Sequence, residues 1–312
     1  MHVHYTHRTI NLPISPKRNR QKMHNTKSPF IGIVLMILAM LVIPMLDGIA
    51  KELSLRYTTT QITWARYFVH FSFMLPFVLI RFGPRAILPK NPRLQLLRSS
   101  LLMCSTFMYF WAISLIPLAD AIALIFIYPI VVTALSAGIL KEQVGFRRWS
   151  AVLVGLLGAC IVVRPGLLEI GLGTFLALGA GASYGCYLIA TRKLANSAPP
   201  VITLTFTAFV GTVVFSALVP SYWQTPTNTD LMLMLAMGLL AALGHYMIIK
   251  SFEYAEASVL APYGYSEIIM ASLIGYFVFG NFPDLYSWIG ISIIIFSGIY
   301  ISIRERQKGS RI

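Results

Sequence analysis

Charge is scarce in this chain. Of 312 residues only 12% are charged, and just 11 are Asp or Glu. A soluble domain carries roughly a quarter charged residues, so the usual polar surface is about halved. Cysteine is scarce too. The three present, Cys104, Cys160 and Cys186, lie in apolar runs, which excludes a disulfide framework and reads them as small apolar residues. No G-x-x-x-x-G-K-[ST] occurs, so the chain holds no phosphate-cradling loop of an ATPase. Acidic residues are absent from 1–29, a tail with no apolar core, which excludes a secretory signal peptide. A mitochondrial presequence is the less favoured reading of that tail. Its His2, His4 and His7 form no dependable metal site, because a mobile tail does not hold ligands in place.

What is abundant is apolar residues, at 57%, with a mean hydropathy of +0.72. Basic residues number 25, giving a net charge of +14. A nucleic-acid binder would explain the charge and not the hydropathy. A membrane protein explains both, with its charges outside the lipid. A membrane-crossing helix needs about 20 apolar residues. Ten such runs are read near 30–50, 60–81, 99–117, 120–140, 149–163, 170–190, 201–220, 231–249, 257–279 and 285–303. With the N-terminus placed in the cytoplasm, 21 of the 25 basic residues fall on that side. They comprise six in the tail, Arg81, Arg85, Lys90, Arg93 and Arg98 after the second run, Lys141, Arg147 and Arg148 after the fourth, Arg192, Lys193, Lys250, and four at the C-terminus. Such a bias sets both termini inside and requires an even number of spans. The expected location is a bacterial inner membrane, and the bilayer is the first partner. No nucleic-acid partner, metal or other cofactor is expected.

Ten spans divide into two sets of five. At an offset of 139 residues Trp149 falls on Trp288, each opening the last run of its half, although Ile130/Ile269 is the only other identity over 112–163. Spacing, and not identity, argues for duplication. Five is odd, so the second half would be inverted, an architecture that recurs in secondary transporters. The expected fold is therefore all-α and integral to the membrane, with ten transmembrane helices in two inverted five-helix repeats. A basic tail covers 1–29, the first repeat 30–165, the second 166–304, and a C-terminal tail 305–312.

Residues 112–165 carry Pro117–Leu118–Ala119–Asp120–Ala121, Tyr128–Pro129 and Leu140–Lys141–Glu142, and the second half carries Ala261–Pro262 and Phe279–Gly280–Asn281. These resemble the EamA family of the drug/metabolite transporter superfamily over about residues 30–305. The family often closes this helix with Gly–Glu or Lys–Glu. Glu142 fits, whereas Asn281 replaces the second carboxylate. The resemblance implies movement of a small metabolite without ATP, and no enzymatic activity. Riboflavin is the first specific substrate expected, supported by abundant Tyr and Phe that would suit a flat ring. Amino acids, adenosylmethionine and drugs are the alternatives. A proton and a second copy of the chain stand as candidate partners. A non-transporting membrane receptor or assembly factor is the competing class.

Ionisable groups inside spans cost at least roughly 2.5–3.5 kcal/mol each and need a partner or a wet cavity. Arg66 and His70 are four apart and share a face. Arginine is also common at this place in the family. The pair reads as a cavity-lining cation and neighbour, against a snorkelling anchor. Glu267 sits mid-span with Tyr263 one turn before it. It is the sharpest candidate for binding substrate or a proton, against a static bridge. Tyr128–Pro129 breaks a helical hydrogen bond and reads as a cavity wall or hinge. Asp47 and Lys51, also four apart, read as a structural or gating pair. His245 reads as a packed histidine, with a relay as the alternative. Helices 1–4 and 6–9 are expected to line the cavity, with 5 and 10 at the side. Stripes of small residues at Gly173, Ala177, Gly181 and Gly185, and at Ala151, Gly155 and Ala159, read as close helix contacts. Gly181–Ala182–Ser183–Tyr184–Gly185 matches the hydrolase elbow G-x-S-x-G, but that motif needs a strand-to-helix turn, and this segment is an apolar helix.

Overall fold

A computed structural model describes residues 28–87, 89, 91–116, 118–163, 171–279 and 285–309, and these contain helices and turns without strands. The tail histidines and Asn281 lie outside them. The helices are α1 (Pro29–Leu53), α2 (Thr59–Phe82), α3 (Pro92–Leu115), α4 (Leu118–Ile125), α5 (Tyr128–Ile139), α6 (Phe146–Val163), α7 (Leu172–Lys193), α8 (Pro200–Leu218), α9 (Asn228–Ser251), α10 (Ala257–Leu260), α11 (Glu267–Phe279) and α12 (Leu285–Gly309). Short local signals start them. Proline occupies the first turn of α1, α3 and α8, where its missing N–H is no loss. Thr58 and Thr227 accept from the backbone N–H groups of Gln61 and Asp230 to cap α2 and α9.

Eight of the ten expected spans each correspond to one helix; the fourth and ninth do not. The 120–140 run breaks between α4 and α5, just before Pro129. The 257–279 run becomes α10, a 3-10 turn over Ala261–Ser266, and α11. Pro129 and Pro262 each sit in the first turn of the segment that follows a break. A proline has no N–H to donate and biases its predecessor away from helix. Hydropathy cannot see this, because the run stays apolar throughout. α12 continues to Gly309, beyond the 285–303 run.

Among the described residues six helices, α1, α2, α3, α7, α8 with its short extension, and α9, are long and apolar enough to cross a bilayer on their own. Large apolar side chains on α2 (Phe73, Phe77, Ile80), α6 (Leu157) and α12 (Phe296) point outward. Water would penalise such a belt and lipid would not. The chain is a multi-pass membrane protein.

The packing has an internal order. α1 packs on α9, and α3 on α7. α2 packs on α8, and α6 on α12. α2 also meets α9, while α3 meets α8; α4 and α5 lie on α7, while α11 and the 3-10 turn lie on α1. Exchanging the first five spans for the last five maps this set of contacts onto itself, α2–α8 and α6–α12 each onto itself and the others in pairs. The small-residue stripe of α7 does the packing expected of it. Gly173 abuts Ile116, Gly181 the Ile125 carbonyl, and Gly185 Val131. On α6, Gly155 meets the ring of Tyr265.

Polar ties close both ends of the bundle. At the end where α1 begins, Glu142 accepts from the backbone N–H groups of Ala257 (3.1 Å) and Ser258 (3.0 Å). Arg192 bonds Glu142 and the Phe252 carbonyl, and Arg148 bonds Glu256 and Ser258 at 2.7 Å each. At the opposite end Asp230 receives Arg56 (2.9 Å), Tyr57 (2.8 Å) and Thr227 (2.8 Å).

Candidate functional site

Between these ties lies a central cavity of about 50 Å³, room for a few water molecules as the helices stand. Its walls come from both halves. α1 supplies Ile43, Leu46 and Asp47, α2 Arg66, and α3 Leu102, Ser105, Thr106, Tyr109 and Phe110. Ile125 and Tyr128 flank the first helix break, Tyr184 comes from α7, His245 from α9, and Glu267 opens α11. No described residue of α8 reaches the cavity, because α8 packs behind α2 and α3. The expectation that the seventh span lines it is corrected on that point. α6 and α12 pack at the side, on each other.

The structure thus brings Arg66, Tyr128, Glu267, Asp47 and His245 to one cavity. It leaves two candidates behind the wall. His70 is buried, with Nε2 unpartnered, but lines no part of the cavity. Tyr263 is buried in the 3-10 turn, where its carbonyl accepts from Ser266. Lys51 donates to the Ile113 carbonyl at 2.5 Å, and no ion pair joins it to Asp47 among the described residues. Asp47 instead faces the cavity. Two groups spaced four apart share a face only approximately, and here the turn between them carries one inward and the other toward α3.

The charged groups are almost sealed from solvent: Arg66 is 3% exposed, Asp47 5% and Glu267 6%. Arg66 donates from Nη1 to Thr106 Oγ1 (3.0 Å), and its guanidinium lies 4.8 Å from the Tyr67 ring centroid. Its Nη2 is 2.7 Å from His245 Nε2. Arginine has only donors, so Nε2 must accept, and the ring is the neutral tautomer protonated at Nδ1. Nδ1 then donates to Tyr187 Oη at 3.3 Å. Arg66 Nε has no partner, and neither has the Tyr109 hydroxyl. Such buried donors left unmade cost about 1–3 kcal/mol each. No carboxylate bridges Arg66 among the described residues. Asp47 and Glu267 lie close enough to each other, and Asp47 to Arg66, to interact through space.

Glu267 occupies the first turn after the second break, where the positive end of α11 favours a negative charge. Tyr128 opens α5. Its ring meets Tyr184 edge-on at 5.0 Å, and its hydroxyl reaches Met40 Sδ at 3.5 Å. Gly264 passes directly over that hydroxyl, so any Cβ there would collide with it. The first break therefore delivers Ile125 and Tyr128 to the cavity, and the second Glu267.

One residue was invisible from composition. Arg98 counts among the 21 basic residues assigned to the cytoplasmic side, yet it belongs to α3 and is wholly buried. Its Nε donates to Thr191 (2.8 Å). Nη1 donates to Thr207 (2.6 Å) and the Thr203 carbonyl (3.4 Å), and Nη2 to Tyr187 Oη (3.1 Å). The readable signal is a set of threonines four apart, Thr203 and Thr207, on the apolar helix α8. Among the described residues no group of three or more His, Cys, Asp or Glu could hold a metal ion.

A cavity at mid-bundle, walled by both halves of a multi-pass helical protein and lined by ionisable groups, fits a membrane transporter for small molecules. The chain belongs to the EamA-like transporter family, whose model matches residues 30–164 and again 171–304. It is similar to the S-adenosylmethionine uptake transporter of Rickettsia bellii, at 26% identity over 91% of this chain and 98% of that one. It is equally similar to the riboflavin transporter of Vibrio cholerae, at 26% identity over 91% and 96%. A pseudopaline exporter of Pseudomonas aeruginosa is also 26% identical, over 89% and 97%. A solved crystal structure with 14% identity superposes with a TM-score of 0.77, covering 90% of this chain and 99% of that one; that likeness concerns the fold.

Proposed function

We propose that this protein is a secondary transporter of the bacterial inner membrane. It carries a zwitterionic metabolite bearing an extra positive charge, with S-adenosylmethionine as the first candidate. The observation that carries this reading is the set of groups on the cavity wall, two carboxyl groups (Asp47 and Glu267) and one guanidinium (Arg66). The carboxyl groups can meet a sulfonium and an ammonium, and Arg66 a carboxylate. Tyr109, Phe110, Tyr128 and Tyr184 offer rings to a cation or a purine. The relatives named for S-adenosylmethionine uptake point the same way.

The two five-span halves act as inverted repeats, with the end where α1 begins facing the cytoplasm. Support comes from the two family matches, the contact pattern that survives exchange of the halves, and the basic loops at that end. Alternating access then opens the Glu142–Ser258 tie or the Asp230 tie in turn. Glu267 is the group placed to exchange a proton for the substrate cation.

Riboflavin is the second reading, favoured by the same tyrosines and by the Vibrio relative. It is uncharged and would leave Arg66, Asp47 and Glu267 without a charged partner. Uptake by proteoliposomes of labelled S-adenosylmethionine, riboflavin and amino acids separates the readings. Transport of S-adenosylmethionine competed by other sulfonium compounds supports the first. Riboflavin uptake without S-adenosylmethionine uptake supports the second. No movement of any compound favours a non-transporting receptor.

A further inference from the structure

We infer that Arg98, Tyr187 and His245 form a positioning chain that keeps the Arg66 charge aimed into the cavity and available to a carboxylate on the substrate. This rests on the proposed substrate class. The chain is continuous: Arg98 Nη2 to Tyr187 Oη at 3.1 Å, His245 Nδ1 to the same oxygen at 3.3 Å, and Arg66 Nη2 to His245 Nε2 at 2.7 Å. It crosses from α3 through α7 and α9 to α2, so four helices fix one guanidinium. Arg98 is held by threonines and stacks on the Tyr187 ring, its centroid 4.9 Å away. That makes it the immobile end.

The direction of each bond follows from the donors. Arg98 and Arg66 can only donate. Tyr187 Oη therefore accepts from Arg98 and from His245, and His245 Nε2 accepts from Arg66. Each link fixes the next, and the imidazole has one orientation and one tautomer. The chemical point is the choice of acceptor. A carboxylate at position 245 would hold Arg66 equally firmly but would neutralise it. A neutral imidazole orients the guanidinium and leaves its charge unspent. The unpartnered Nε of Arg66 and the unpartnered Tyr109 hydroxyl are donors that an incoming carboxylate would satisfy.

The experiment measures KM and kcat in proteoliposomes for S-adenosylmethionine and for its decarboxylated analogue, with wild type, His245→Ala, His245→Gln and Tyr187→Phe. Glutamine can accept from Arg66 and donate to Tyr187, so it retains both links. Loss of an acceptor for a charged donor predicts a KM for S-adenosylmethionine raised about tenfold in His245→Ala and about threefold in Tyr187→Phe. The analogue should change less than about twofold, and His245→Gln should restore the wild-type ratio. Equal shifts for both compounds, or failure of glutamine to restore the ratio, overturn the positioning role and mark the chain as a helix staple. Wild-type liposomes that carry neither compound overturn the substrate reading, and this role with it.

Discussion

Arg66 and Arg98 are both buried arginines in an apolar bundle, yet they are satisfied differently. Arg98 places four hydrogen bonds on acceptors of α7 and α8. Arg66 spends one on Thr106 and one on His245, keeps Nε unpartnered, and lines a cavity. Four bonds to a charged donor, at roughly 1.5–3 kcal/mol each, offset the cost of burying Arg98. Arg66 lacks that compensation, so its burial is stabilised chiefly by what can enter the cavity. Depth in a span therefore does not mark a functional charge; unmet hydrogen-bonding capacity beside a cavity does.

The largest expected effect comes from deleting the unmet charge. Arg66→Ala should cost about 2–5 kcal/mol of substrate binding, or roughly 30-fold and upward in apparent affinity. Thermal unfolding of the purified protein should barely move. Arg98→Ala reverses the pattern: thermal unfolding falls markedly, while transport per folded molecule falls much less. If the two variants behave alike, the contrast between them is broken. Next in size is Gly264→Ala. The added methyl displaces Tyr128 from the cavity wall, an overpacking cost of about 1–3 kcal/mol, and transport should fall along with stability. Replacing Glu267 by Gln, or Asp47 by Asn, should raise the KM for a cationic substrate about tenfold and leave an uncharged aromatic competitor unaffected. Glu142→Gln is the mildest. It weakens the cap on α10 by about 0.5–2 kcal/mol, and accessibility of a cysteine placed at Phe252 should rise on the α1-start side of the membrane.

Much of this was legible in the order of residues, and the reasons for the rest are physical. Apolar runs report helices because lipid-exposed backbone must satisfy itself, so the spans around Arg66 and Glu267 stood out, and those two residues with them. The breaks at Pro129 and Pro262 leave the hydropathy unchanged, so Tyr128 could be suspected only from its proline. Asp47 and Lys51 looked like partners because they are four apart. Which of two such residues turns inward depends on the neighbouring helices, and α3 draws Lys51 away through the Ile113 carbonyl. His70 shares the spacing rule with Arg66 yet stays behind the wall for the same kind of reason. Arg98 stands near the start of its helix, where a basic residue ordinarily marks the membrane edge. Only the threonines facing it, which come from helices more than ninety positions away, show that it is inside.

The most direct measurement is uptake of labelled S-adenosylmethionine by proteoliposomes containing wild type, Arg66→Ala and Glu267→Gln, with riboflavin run in parallel. The pairing of cavity groups with substrate charges predicts saturable S-adenosylmethionine uptake by the wild type, strong loss in both variants, and little riboflavin movement in any. Wild-type uptake that survives in both variants, or uptake of riboflavin in place of S-adenosylmethionine, would contradict it.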